Sequence, residues 1–440
     1  MPGKMARSAP RPPFWLPDAL VTVLTSRISC KKGRESANIQ VSSGVIWGIP
    51  VNMTNSDNSV RRYKSETPAG KIDVGLNWSF RQARRSPMLL LLRTLSAWEP
   101  TVAPAPGYTV VIACMRTLAE VVLANLSALE RCELAAAREI ILVFDCELQS
   151  VPEEVKKAAT RLARRVPTRI LGYSPWQLHV ARKIDWGWVY AWLSWCIGIG
   201  AAGTRRVQLH DLDALALDSK FFDRLHAHAE QEKLQFLGVH YYEGSGVTRA
   251  MRLPMTFELS LDAAWLRATF HPVDVFNKLR IVDGRVIDFD TMLWLEWQTP
   301  ARSVLPISET QILHPSQMIC NYIDLRRRGH VILGKQPHNL LMLPWFLHLG
   351  GNSELLRVVG QQLAVPGTES VSMLDQQARI GHLSPAHFAW IEKQIRRGEQ
   401  AFFGGTRPEV AQYLRGIVSR AGEQRTVGRE PLTAAGVPDA

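Results

Sequence analysis

Four strand candidates, spaced along the middle of this 440-residue chain, dictate most of its architecture. They are Tyr108–Met115 (YTVVIACM), Arg138–Asp145 (REIILVFD), the short Thr168–Gly172, and Arg206–His210 (RVQLH). The first is a continuous apolar, β-branched run that suits a strand buried on both faces, and the second reads as another buried strand. Between the first two, Leu118, Val122, Leu126 and Leu129 recur at helical spacing. Pro152–Arg165 reads as a further helix, with Glu153 and Glu154 in its first turn and Arg161, Arg164 and Arg165 in its last, as the helix dipole favours. Strand–helix alternation at this pitch predicts an α/β domain with a mostly parallel sheet and helices on both faces. In such sheets ligands bind beyond the carboxyl ends of the strands.

Leu234–Tyr242 reads as a fifth strand, and residues 253–300 as short strands and helical pieces rich in Trp and Phe. From Asn352 the chain reads as mainly helical, with Ser384-Pro385 opening a helix over His387–Arg397 and the last twenty residues frayed. Three segments follow: a basic, disordered arm over 1–104, a catalytic domain over 105–345, and a helical extension over 346–440.

Charge supports the first boundary. Of a formal net charge of +12, residues 1–100 supply +9, from 15 Lys and Arg against 6 Asp and Glu. Such an arm leaves peripheral contact with an anionic membrane open, while a solvated tail is the simpler account and no specific nucleic-acid partner is expected. The six cysteines are far apart, with no Cys-x-x-Cys pair and no zinc spacing, so a disulfide scaffold is excluded and a reducing, cytoplasmic setting expected, with membrane association at the inner face left open. Cys114 and Cys146, in or beside the apolar runs, read as buried thiols. The first 30 residues lack the apolar core of a secretory signal; being Arg-rich and Ser-rich, they leave an organellar presequence open. Trp186–Gly203 is uncharged but only 18 residues long and reads as a buried helix rather than a span.

Asp211 and Asp213 follow the fourth strand directly. Two residues apart on an extended segment, their carboxylates can point the same way and share a hard divalent cation, Mn²⁺ or Mg²⁺, whose oxygen shell substrate phosphates complete. The alternative is a polar strand-to-loop turn. The strand TVVIACMR with the helix LAEVVLANLSALE, the strand EIILVFD, and VQLHDLDALAL carrying the Asp-x-Asp together resemble the GT-A glycosyltransferases, family-two-like enzymes in particular, over about residues 108–320. The resemblance implies a GT-A-like (Rossmann-like) sheet and a nucleotide-sugar donor. It places Asp145 near the nucleobase, Arg116 at the nucleotide rim, and Asp211 and Asp213 near ribose, diphosphate and metal. Asp290, in Asp288-Phe289-Asp290, takes the place of the base that deprotonates the acceptor hydroxyl, and His314 that of a histidine reaching metal or diphosphate. The chain departs from the family pattern where a second acid often follows the second strand, since Asp145 is followed by Cys146 and Glu147.

Each residue has a plainer reading: Asp145 as a loop cap, Arg116 as a solvated side chain, His314 as a turn residue before proline, Asp290 as the N-cap of a helix beginning near Thr291. Arg182 and Lys183 either face the diphosphate or are solvated charges. Gly198-Ile-Gly-Ala-Ala-Gly203 matches a dinucleotide fingerprint, but Asp211 follows after eight residues, leaving no room for the helix that motif requires. The expected activity is transfer of a sugar from a nucleotide-sugar donor to a saccharide or other hydroxyl acceptor, metal-dependent and inverting. The alternatives are a sugar nucleotidyltransferase, disfavoured because ACMRTLAE lacks the glycine of a phosphate loop, and a non-enzymatic binder acting through its basic arm.

Overall fold

The computed structural model describes residues 76–427, apart from 102, 309 and 332–335. Its strands are β1 (Ala105–Cys114), β2 (Ala137–Phe144), β3 (Thr168–Gly172), β4 (Thr204–His210), β5 (Leu215–Ala216), β6 (Phe236–Gly238), β7 (Glu258–Asp262), β8 (Lys278–Val282), β9 (Arg285–Phe289), β10 (Arg302–Val304), β11 (Ile312–Leu313), β12 (Ser370–Met373) and β13 (Gln376–Arg379). Seven of them form one sheet in the order β10-β6-β7-β4-β1-β2-β3. β1 runs parallel to β2 and β4, and β2 to β3, while β7 is antiparallel to β4 and β6. The expected α/β class with a mostly parallel sheet is present.

The unbroken apolar runs have a direct cause. Val110, Ile112 and Cys114 of β1 with Ile140, Leu142 and Phe144 of β2 enter a core shared with helices Ala119–Leu129 and Glu153–Leu162. Val111, Ile141, Val143, Val207 and Leu209 enter a second core on the other face, shared with helix Gly187–Ala201. Each fully buried Val, Leu or Ile contributes about 1.5–3 kcal/mol, so both sides of each strand are committed to packing. β4 differs, because Arg206, Gln208 and His210 occupy its other face and are buried. They are held by partners: Arg206 Nε donates to Glu230 at 2.7 Å, and Gln208 Nε2 to the Phe222 carbonyl at 3.0 Å.

The uncharged segment is the helix Gly187–Ala201, packed against the sheet. A Cβ on Gly198 would lie 2.3 Å from Val111 Cγ1, and one on Gly200 3.0 Å from Trp98 Cδ1. Gly198 therefore serves close helix–strand approach and Gly200 the packing of Trp98, neither of them a phosphate turn. Gly198→Ala is expected to overpack this contact and cost about 1–3 kcal/mol, read as a lower denaturant midpoint with unchanged slope. Among the described residues no helix is long and apolar enough to cross a membrane. Cys114 and Cys146 are buried thiols, as expected, and so are Cys132 and Cys196.

Three expectations need correction. First, the arm ends earlier than residue 104: Leu76–Arg93 is a helix whose Met88 and Leu92 enter the second core together with Leu95. The run Met88–Leu92 supplies the apolar face that the surrounding arginines obscure, and Arg85 forks onto Asp288 with bonds of 2.8 and 2.7 Å. Residues 1–75 lie outside the described residues. Second, the boundary at 345/346 falls inside helix Leu343–Leu349, which shares the first core with helix Ala119–Leu129. Gly350 ends that helix so close to the neighbouring one that a Cβ would sit 1.9 Å from the Glu120 carbonyl oxygen.

Third, the fifth strand is only Phe236–Gly238. Beyond it the chain leaves the sheet and pairs irregularly with 253–255, Tyr242 N–H donating to the Leu253 carbonyl at 2.8 Å. The C-terminal segment is mainly helical, as expected, in helices Glu354–Leu363, Pro385–Phe403 and Pro408–Val427, with the antiparallel pair β12–β13 between the first two and the last helix reaching into the twenty residues expected to fray. Residues 428–440 lie outside the described residues.

Candidate active site

β4 ends at His210, and the chain turns at once: Ala214 N–H donates back to the Asp211 carbonyl at 3.1 Å. The next residues, β5, pair antiparallel with β11, Leu215 opposite Leu313. That two-residue pairing delivers His314, the residue after β11, to the Asp-x-Asp turn. His314 Nε2 lies 3.4 Å from Asp213 Oδ1 and 3.7 Å from Asp211 Oδ2. One ligand atom from each of the three residues falls within 4.8 Å of the others. Burial, and then the Asp213 charge beside it, pushes the Asp211 carboxyl up to about 8. Burial disfavours a charged His314, but its hydrogen bond to Asp213 and the charges of both aspartates outweigh this and raise its pKa. Two carboxylates, which are hard oxygen donors, and an imidazole, a borderline nitrogen donor, converge on one point and fit a divalent cation, with the carboxylates suiting one of the Mn²⁺ or Mg²⁺ kind.

Asp145 follows β2 at the same carboxyl end of the sheet, with β1 between it and β4. Its Oδ1 accepts the Arg116 backbone N–H at 2.8 Å. Burial raises its pKa, opposed by that bond and by the guanidinium charges of Arg116 and Arg182. The carboxylate is thus tied to the end of β1, yet two exposed arginines still face it. Lys183 is exposed on helix Pro175–Ile184.

Asp290 sits on another element, just past the β8–β9 hairpin, whose Asp283-Gly284 turn has both residues at positive φ, +50° and +73°. Asp290 Oδ1 accepts from Asn277 Nδ2 at 3.1 Å and from Thr291 N–H at 2.7 Å. An indole hydrogen bond from Trp188, at the start of helix Gly187–Ala201, also reaches the carboxylate. The chain then bends sharply, Leu293 N–H donating to the Asp290 carbonyl at 3.1 Å with Met292 at φ +71°. The N-cap reading is thereby corrected: the helix is Leu293–Gln298, and the residue in the cap position is Met292. Burial pushes the Asp290 carboxyl up to about 6, against the Thr291 and Asn277 hydrogen bonds, and nearby Asp288 adds to the rise. Asp288 is itself neutralised by the Arg85 fork.

Sequence reasoning passed over the residues that hold these groups. Asn125, His210, Phe257 and Glu258 surround the Asp211–Asp213 turn from the protein side, and Asn277 and Trp188 surround Asp290. His210 stood within the motif, and its place before Asp211 on a strand face already carrying Arg206 and Gln208 was the available signal.

No family model matches the chain, and no curated protein matches it. Among solved structures it is similar to TarS of S. aureus, at 12% identity and a TM-score of 0.33 over 71% of this chain, and it spans 55% of the length of that protein. It is also similar to a glucosyl-3-phosphoglycerate synthase from Mycobacterium tuberculosis in complex with Mn²⁺, UDP and glucosyl-3-phosphoglycerate, at 12% identity and a TM-score of 0.31, over 54% of this chain and 80% of the other. A third is the mannosyltransferase PcManGT from Pyrobaculum calidifontis in complex with GDP-Man and Mn²⁺, at 12% identity and a TM-score of 0.28, over 80% and 94% of the two chains.

Proposed function

We propose that this protein is a metal-dependent, inverting glycosyltransferase that moves a sugar from a nucleotide-sugar donor to a hydroxyl acceptor. The observation that carries the reading is the convergence of Asp211, Asp213 and His314 at the carboxyl end of β4, where α/β sheets bind their ligands. When bound there, a divalent cation supplies charge neutralisation for a nucleoside diphosphate as it leaves. Asp145, with the Arg116 and Arg182 charges facing it, lines the nucleotide side of the same edge. Asp290, on a separate element, accepts the acceptor hydroxyl's proton. The acceptor oxygen forms its bond to the anomeric carbon from the face opposite the diphosphate, and the bond from that carbon to the phosphate oxygen breaks with its electron pair staying on the phosphate.

The test is incubation of the full chain with a panel of UDP- and GDP-sugars, with Mn²⁺, with Mg²⁺ and with chelator. Slow hydrolysis of at least one donor, present with metal and absent with chelator, is expected. Metal-independent turnover, or no binding of any nucleotide sugar with either metal, overturns the reading.

A further inference from the structure

Asn125 is fully buried in the middle of helix Ala119–Leu129, the one polar side chain among the residues that helix buries. Asparagine is a poor helix former there, and burying its amide is costly unless it is hydrogen-bonded. The side chain turns under the Asp-x-Asp segment. Its Nδ2 lies 3.3 Å from the Asp211 and Leu212 carbonyl oxygens, 2.9 Å from that of Ala214, and 3.1 Å from His210 Nε2. Carbonyls only accept, so the amide nitrogen faces them, and Oδ1 is left buried without a partner. The same orientation makes His210 Nε2 an acceptor, which places the ring proton on Nδ1, 2.5 Å from Glu258 Oε1. Both residues of that pair are 1% exposed, and they face each other because β4 and β7 pair His210 with Glu258.

The residue beside Glu258 completes the support. The Phe257 carbonyl accepts the Asp211 N–H at 3.0 Å, and its ring stacks on His314 with centroids 4.2 Å apart at 15°. Asp211 and His314 are thus held from behind directly, and Asp213 through the carbonyls of Leu212 and Ala214 on either side of it. A turn of four residues has many conformations, and only those aiming both carboxylates toward His314 serve a shared cation. The two N–H donors of one amide, shared among these carbonyls, tie the turn to the helix and remove much of that freedom.

We propose that Asn125 is a positioning residue for the cation, fixing the Asp211–Asp213 turn together with the His210–Glu258 pair; this rests on the metal reading of the site given above. Partners behind metal ligands typically change affinity by about 10–100-fold when removed, and that is the effect expected here.

The experiment measures Mn²⁺-dependent binding of UDP and of GDP by calorimetry on the full chain, with thermal denaturation alongside. Asn125→Ala is expected to weaken that binding by about 10–100-fold. Glu258→Gln, which keeps an acceptor for the His210 Nδ1 proton, is expected to retain it, and Glu258→Leu to lose it. Val122→Ala, a buried apolar change on the same helix, is expected to lower the melting temperature with affinity unchanged, which separates positioning from general loosening. Asn125→Ser carries the same test if the alanine variant does not fold. Wild-type affinity in folded Asn125→Ala or Asn125→Ser, with Asp213→Ala abolishing binding, overturns the positioning role and leaves the metal reading intact. Absence of Mn²⁺-dependent binding in the wild type overturns the metal reading and this inference with it.

Discussion

Asp213→Ala is expected to abolish Mn²⁺-dependent nucleotide binding while leaving the protein at least as stable as before. Both parts follow from the same geometry. Asp213 is only 6% exposed, yet its carboxylate meets His314 at 3.4 Å and stands against a second carboxylate whose pKa burial and Asp213 together push to about 8. The Asp213 charge disfavours ionisation of Asp211 beside it, so removing Asp213 relieves that cost while giving up the His314 contact. For a cation the balance is reversed, since half of the available carboxylate charge disappears. The loss of affinity is expected to exceed the roughly 10–100-fold typical of residues one step behind a ligand. Added Mn²⁺ should raise the melting temperature of the wild type, because a ligand that binds only the folded state stabilises it, and should do nothing for the variant. Unchanged UDP or GDP affinity in Asp213→Ala with Mn²⁺ present removes this turn from consideration as the metal site.

What the sequence made legible, and what it hid, divides by how local the signal is. β1 and β2 announce themselves because both of their faces are buried, and an unbroken apolar run has few other uses at that length. The Asp-x-Asp was visible because it directly follows the fourth strand candidate. His314 could be named as a candidate, but only the β5–β11 pairing, two residues long, brings it to the aspartates, and no pattern statistic detects a pairing that short. Asn125 reads in isolation as a blemish in a helix, and Glu258 as an acid in an undistinguished segment. Their roles appear only once β7 is placed antiparallel to β4 in the register that sets Glu258 against His210. The helix Leu76–Arg93 was obscured by Pro87 within it and by flanking arginines, one of which proves to be the partner of Asp288. The β12–β13 hairpin turns through Leu374 at φ +57°, a conformation for which glycine or asparagine is the usual signal and leucine is none.

Asp290→Asn is expected to lower turnover by about 10²- to 10⁴-fold with donor affinity nearly unchanged. The structure makes this substitution unusually clean. The Asn277 and Thr291 hydrogen bonds both end on Oδ1, where an asparagine carbonyl oxygen can still accept both, so the turn from Asp290 to Leu293 keeps these two supports even though the Trp188 indole loses its carboxylate partner. What the amide cannot do is take up a proton. The groups facing Asp290 are Asp288 and Tyr242, whose own pKa burial pushes to about 12, together with the neutral Trp188, Asn277 and Thr291. With its carboxyl pushed up to about 6, Asp290 is ionised and able to act as a base above that pH and protonated below it. The wild-type pH profile of kcat/KM should therefore fall on the acid side with a midpoint near 6, and the residual activity of the asparagine variant should lack that limb. Because Asp145, Asp211 and Asp213 lie on other elements, Mn²⁺-dependent UDP or GDP binding measured on the same variant should stay near wild type. Full turnover, or a retained acid limb with the same midpoint, eliminates Asp290 as the base and directs the search to Asp288, which would first have to be released from Arg85.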